Sequence, residues 1–164
     1  MKRVAFIRHA HSSFSSVNSN DHDRELSKEG AEECKIVGKW MKENSYYPDL
    51  YISSSAIRAK QTCQNIQSHL NSDENIFIDS QIYHQGIKGV LDNIIKAKES
   101  CKFIVIFGHN PSFEDIYNMI NNSIYKQFPT CSVVIASFKE YSWNDFSIDK
   151  LEFMAYTTPN DLKY

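Results

Sequence analysis

The sequence has no uninterrupted apolar run near the ~18 residues needed to span a bilayer, so no membrane segment is expected. Its start, MKRVAFIRHA, is basic but holds only a short apolar stretch, well under the ~7–15 residues of a signal-peptide core. The four cysteines, Cys34, Cys63, Cys101 and Cys131, form no C-x-x-C pair, which argues against a zinc ribbon or a disulfide framework. Free thiols in a reducing, cytoplasmic setting are expected instead. A basic excess is missing too: 18 Lys and Arg stand against 20 Asp and Glu, a formal charge of −2. A dedicated nucleic-acid surface is therefore disfavoured. There is no internal repeat, low-complexity tract or interdomain linker.

What remains is an ordinary globular composition, 41% hydrophobic and 23% charged, which excludes a disordered chain. At 164 residues one domain, 1–164, is expected, with enough length to bury a full core. Short apolar runs alternate with helical periodicity. Val4–Ile7, Leu50–Ile52, Ile76–Ile78 and Phe103–Phe107 read as strands, the last buried on both faces. Ala31, Cys34, Val37, Gly38 and Met41 recur at helical spacing behind Ser27, a candidate N-cap. Further helices are marked by Ala59–Leu70, Val90–Ile95 and Phe113–Ile120. Ser132–Phe138 and Ser147–Phe153 read as a closing hairpin, and Thr157 to Tyr164 as a frayed end. The alternation predicts an α/β fold: a three-layer αβα sandwich around a mostly parallel sheet.

Three of these strands end in residues with chemistry. The first runs into Arg8-His9, the second through serines to Arg58, and the fourth into Gly108-His109-Asn110-Pro111. In open parallel sheets the ligand site lies beyond the carboxyl ends of the strands, so two arginines and two histidines converge there. No carboxylate is evident among them. A phosphoryl group suits that set, because guanidinium grips phosphate with paired donors and a helix N-terminus adds oriented N–H groups. A neutral histidine can attack phosphorus, and nearby guanidinium groups disfavour the imidazolium. His9 and His11 could also be an H-x-H metal pair, but nothing with ligand spacing completes a site, so no metal is expected. His22 and His69 read as surface residues, Trp40 and Trp143 as packing.

These residues fall into ordered motifs: Arg8-His9 after the opening strand; Asp23-Arg24-Glu25-Leu26-Ser27 with Gly30; Ser54-Ser55-Ala56-Ile57-Arg58-Ala59-Lys60-Gln61-Thr62; Gly108-His109-Asn110-Pro111; and Phe128-Pro129-Thr130. From Val4 to Ser132 the chain resembles the histidine phosphatase (phosphoglycerate-mutase-like) superfamily, above all its short SixA-type phosphohistidine phosphatases. The resemblance implies that His9 becomes phosphorylated, that Arg8, Arg58 and His109 line the phosphate pocket, and that neither metal nor cofactor takes part. Ser12 and His11 are further candidates for substrate contact. Ala10 stands where the family usually has Gly. The larger members carry a Glu general acid where this chain has Ile82-Tyr83-His84-Gln85-Gly86. His84 and His11 are the candidate proton donors, or there is none, since an imidazole leaving group needs little help. The expected function is a metal-independent phosphatase acting on phosphohistidine of a protein. A phosphatase of a small phosphoester and a phospho-ligand-binding pseudophosphatase are the alternatives. The expected partner is a phosphorylated protein or small molecule, with no nucleic acid or membrane, and the expected state a monomer or weak dimer.

Overall fold

The computed structural model describes residues 1–14, 20–122 and 124–163. The strands and helices alternate along the chain as β1 (Lys2–Arg8), α1 (Lys28–Glu43), β2 (Leu50–Ser54), α2 (Ile57–His69), β3 (Ile76–Asp79), α3 (Gln81–His84), α4 (Ile87–Ile94), β4 (Phe103–Gly108), α5 (Ser112–Asn121), β5 (Val133–Phe138) and β6 (Leu151–Thr157). One six-stranded sheet has the order β3-β2-β4-β1-β5-β6. β3, β2, β4 and β1 are parallel, and β5 and β6 add on antiparallel. The fold is thus mixed α/β around a mostly parallel sheet, as the alternation predicts.

The period of two along β1 makes the sandwich. Val4 and Phe6 pack into a core with α4, α5 and Trp143, while Ala5 and Ile7 face the opposite core under α1 and α2. Both faces of β4 are covered, and all six of its residues are buried. Burying Phe6, Phe103 and Phe107 completely is worth about 1.5–3 kcal/mol each by area. Ser27 caps α1 as the sequence indicates, its hydroxyl accepting from Gly30 N–H at 3.0 Å.

Three boundaries differ from the sequence pattern. The apolar stretch before β4 breaks at Gly86, whose φ of 54° separates the single turn α3 from α4. The closing hairpin is longer than expected: 3₁₀ turns at Trp143–Asp145 and Ile148–Lys150 postpone β6 to Leu151. Trp143 causes that detour by burying its ring beside Phe138 and donating Nε1–H to the Cys101 carbonyl at 3.0 Å. The end expected to fray is tied down: Thr157 closes β6, Thr158 bonds Asp161 through N–H and hydroxyl, and Leu162 packs on the core. Tyr164 and residues 15–19 of the polar stretch after β1 lie outside the described residues.

Candidate active site

Register places the chemistry. Arg8 of β1 pairs with Gly108 of β4, so His9 and His109 follow on neighbouring strands, and His9 N–H donates to the Gly108 carbonyl at 2.9 Å. Their ring centroids lie 5.3 Å apart. β2 ends beside β4, and Arg58 sits in the first turn of α2. The structure thus brings together Arg8, His9, Arg58 and His109 at the carboxyl edge of the parallel strands.

His9 is buried at 6% exposure, and its Nδ1 lies 2.8 Å from the Ala10 carbonyl. A carbonyl only accepts, so the proton resides on Nδ1 and Nε2 carries the lone pair. Nε2 receives Arg58 Nε–H at 3.3 Å. Burial first, then the charges of neighbouring Arg58 and Arg8, pull the His9 pKa down to about 3. The loop that carries it is held on every side. Thr62 Oγ accepts from Ala10 N–H at 2.9 Å and donates to the Arg58 carbonyl at 2.7 Å, joining the His9 loop to the first turn of α2. Buried Glu33 accepts from His11 N–H at 2.7 Å and from the Thr130 hydroxyl at 2.9 Å.

At the site two buried side-chain nitrogens have no partner among the described residues. Arg8 donates Nη1–H to the Phe128 carbonyl at 3.1 Å, but its Nε is buried and unbonded. His109 Nδ1 is likewise buried and unbonded, while its Nε2 lies 2.7 Å from Ser54 Oγ. Burial, then Arg58, lowers the His109 pKa to about 3, so this ring is neutral as well. Buried polar groups almost always find partners, so two unpartnered nitrogens on neighbouring strand ends mark a place where a polar ligand can bind.

A carboxylate the sequence pattern did not reveal completes the set. Asp21 accepts from Arg58 through both its backbone carbonyl, at 2.7 Å, and its side chain, at 3.1 Å. It also accepts from the Tyr83 hydroxyl at 2.7 Å and from Arg24 Nε at 3.0 Å. The Tyr83 hydrogen bond, with the Arg58 and Arg24 charges, holds its carboxyl down to about 2 despite partial burial. Tyr83 is the second unforeseen member: its ring stands edge-on to His109 at 5.4 Å and to His22 at 5.0 Å. His22 is half-buried rather than a plain surface residue, with Nε2 2.8 Å from Ser55 Oγ.

The other candidates lie further out. His84 is exposed, packs edge-on against Tyr83 at 5.1 Å and makes no hydrogen bond to Arg8, His9, Arg58 or His109. Ile82 enters the core, and in a one-turn helix that turns Tyr83 toward the site. The His11 ring is held at the start of α1 by Ser27 Oγ at 2.6 Å. Ser12 is buried and accepts from Arg24 Nη1 at 2.9 Å, which makes it a prop of the Arg24–Asp21 side of the site. His9 and His11 therefore point to different partners. Among the described residues no group of three or more His, Cys, Asp or Glu is placed to hold a metal, and no helix is long and apolar enough to cross a membrane.

Residues 4–82 match the histidine phosphatase superfamily (branch 1). An uncharacterized chloroplastic protein of Arabidopsis thaliana is 29% identical over 153 residues, covering 88% of this chain and 70% of that protein. Among solved structures, a protein of Agrobacterium tumefaciens that carries the name SixA superposes with a TM-score of 0.80 at 24% identity, covering 96% of this chain and 99% of that one. The protein histidine phosphatase SixA in complex with tungstate gives 0.77 at 16% identity, covering 98% and 99%. At these identities the structural likenesses speak for the fold.

Proposed function

The chain belongs to the histidine phosphatase superfamily, branch 1, and from that premise we propose that it is a metal-independent phosphatase working through a phosphohistidine on His9. One observation carries the reading: a buried neutral imidazole, whose Nε2 lone pair meets only Arg58 Nε–H at 3.3 Å, shares the strand-end edge with two buried nitrogens that lack partners, Arg8 Nε and His109 Nδ1. A phosphoryl group satisfies both donors and offers phosphorus to the lone pair. Arg58 supplies the third donor when it exchanges Asp21 for phosphoryl oxygen.

In the first step His9 Nε2 attacks phosphorus. The new P–N bond forms as the bond to the leaving atom breaks, and the leaving group takes that electron pair and a proton from solvent. In the second step water attacks phosphorus, the P–N bond breaks, and His9 and inorganic phosphate are released. Two fixed guanidinium groups and one imidazole N–H stabilise the equatorial oxygens in both steps, and such preorganised electrostatics are typically the largest catalytic contribution.

The substrate proposed is phosphohistidine on a protein. The carboxylate at the site, Asp21, is held ionised, so it has no proton for an alkoxide leaving group in the resting enzyme. An imidazole leaving group needs no strong acid. A structural neighbour named as a protein histidine phosphatase agrees with this choice. His84, one ring away behind Tyr83, is the proposed proton donor for poorer leaving groups.

A rapid-quench trap with ³²P-labelled substrate tests the nucleophile. Acid-labile, alkali-stable label on His9, lost in His9→Ala together with turnover, is expected; label on a serine overturns the mechanism. Comparing a phosphohistidine peptide with a panel of small phosphoesters tests the substrate, and a higher kcat/KM for any of the latter replaces it. In the same panel His84→Ala should slow alkyl phosphates more than phosphoimidazole. Equal rates throughout would remove His84 from the chemistry.

A further inference from the structure

The two histidines at the site present opposite faces to the space between them. His9 gives its Nδ1 proton to a backbone carbonyl and keeps a lone pair on Nε2. His109 has Nε2 against a serine hydroxyl and leaves Nδ1 buried without a partner. We propose that Ser54 is a positioning residue that fixes the tautomer of His109, holding its proton on Nδ1 as a donor to the transferring phosphoryl group. The proposal deepens the phosphatase reading above and rests on it for the identity of the acceptor.

The direction of the serine–histidine bond follows from counting hydrogens. Ser54 Oγ accepts from Ala56 N–H at 3.3 Å, at the start of α2. The side chain is fully buried, and among the described residues the acceptor within reach of its own hydrogen is His109 Nε2, at 2.7 Å. Were His109 to donate from Nε2 instead, Ser54 Oγ would accept twice and its hydrogen would be stranded inside the protein. A stranded buried donor costs on the order of 1–3 kcal/mol, enough to decide the arrangement. The ring is neutral, so it has one proton, and that proton is then on Nδ1. Free imidazole side chains in water favour the opposite tautomer, with the proton on Nε2, so the preference has to be imposed by the protein.

Position explains why a serine does this. Ser54 is the last residue of β2, directly before the turn into α2, and β2 lies next to β4. Its hydroxyl therefore reaches the residue just past the end of β4 while also tying down the turn that places Arg58. Alanine would keep the backbone and lose the instruction to His109. Threonine would keep the hydroxyl.

The test reads the tautomer directly. Protein labelled with ¹⁵N-histidine is compared as wild type, Ser54→Ala and Ser54→Thr, without substrate, by long-range ¹H–¹⁵N correlation. In the wild type His109 should show a protonated, pyrrole-like Nδ1 and a pyridine-like Nε2. In Ser54→Ala the pattern should reverse or average, phosphate and vanadate inhibition should weaken, and kcat should fall by ~10–100-fold, approaching the loss of one oxyanion donor. Ser54→Thr should restore the wild-type spectrum, a response that a merely structural role would not produce. A pyridine-like Nδ1 in the wild type overturns the proposal, as does a spectrum unchanged in Ser54→Ala. A reversed tautomer with undiminished phosphate binding and turnover overturns the role given to Nδ1. If the wild type hydrolyses no phosphorylated substrate yet the tautomer and the binding of inorganic phosphate respond as stated, the phosphatase reading fails and the role of Ser54 in anion binding stands.

Discussion

His9 and His109 should make the protein acid-sensitive in a range where carboxylates are still silent. Each has a folded pKa near 3 against the ordinary 6.5 of an exposed imidazole, because burial and the flanking arginines exclude the imidazolium. A depressed folded pKa means stability that is complete above about pH 6.5 and is lost as pH falls toward the folded value. In that window the unfolded chain binds a proton at each ring and the folded chain does not, so the slope approaches about 1.4 kcal/mol per pH unit per histidine. Integrated from pH 7 to pH 5, each ring costs about 2 kcal/mol and the pair about 4 kcal/mol. Against a typical stability of ~5–15 kcal/mol that is a large share.

The perturbation is His109→Gln, which removes one titrating ring and keeps an amide able to meet Ser54. Urea unfolding at pH 7, 6, 5.5 and 5, with ΔG plotted against pH, is the assay. Wild type should fall by about 4 kcal/mol over the two pH units and His109→Gln by about half as much, with the lines converging toward low pH. Parallel lines would mean that His109 is protonated in the folded protein, which would remove the neutral imidazole pair on which the proposed chemistry depends.

Other perturbations read other parts of the site. Asp21→Asn removes the anion that occupies Arg58, so inorganic phosphate should inhibit about fivefold more tightly, which corresponds to ~1 kcal/mol for an ion pair with a buried guanidinium and an exposed carboxylate; unchanged inhibition would mean that Asp21 and phosphate do not compete. Glu33→Ala strands His11 N–H and the Thr130 hydroxyl and should destabilise by about 2–4 kcal/mol in urea titrations, with kcat falling as the nucleophile loop loosens. Gly30→Ala places a Cβ 2.1 Å from the His11 carbonyl oxygen, a backbone atom that cannot turn aside. A cost of about 1–3 kcal/mol is expected, or a Tm lower by roughly 3–10 °C; a wild-type Tm would show that α1 can shift freely against the loop.

Much of the fold was legible because period and punctuation agree with the sheet. The run at Phe103–Phe107 is apolar throughout and buried on both faces, and Ser27 caps the helix it precedes. The pattern failed where a single side chain decided the path. Trp143 reads as a packing residue, but nothing in the polarity of Ser142–Lys150 says that burying it will delay β6, because burying one indole and satisfying its N–H is a tertiary event. Thr157 to Leu162 looks like a tail by composition, yet two hydrogen bonds from Thr158 to Asp161 and the packing of Leu162 hold it.

The site divides along the same line. Arg8, His9, Arg58 and His109 are readable because each follows a strand end, and register between parallel strands carries such residues to one edge without further information. Asp21 and Tyr83 belong to no such rule. Asp21 comes from a loop turn of three residues, and its meeting with Arg58 depends on how that loop folds back. Tyr83 and His84 are adjacent, and one turn of helix decides which of them faces His109. Ile82 settles it by entering the core beside Val90, which carries the next residue toward the arginines and leaves His84 outside. One turn of helix thus decides which side chain of a short segment reaches the strand-end quartet. In the proposed mechanism the quartet at the strand ends carries the phosphoryl transfer, and the residues lent by loops and single turns, Asp21 and Tyr83 here, are where leaving-group preference can change without disturbing it.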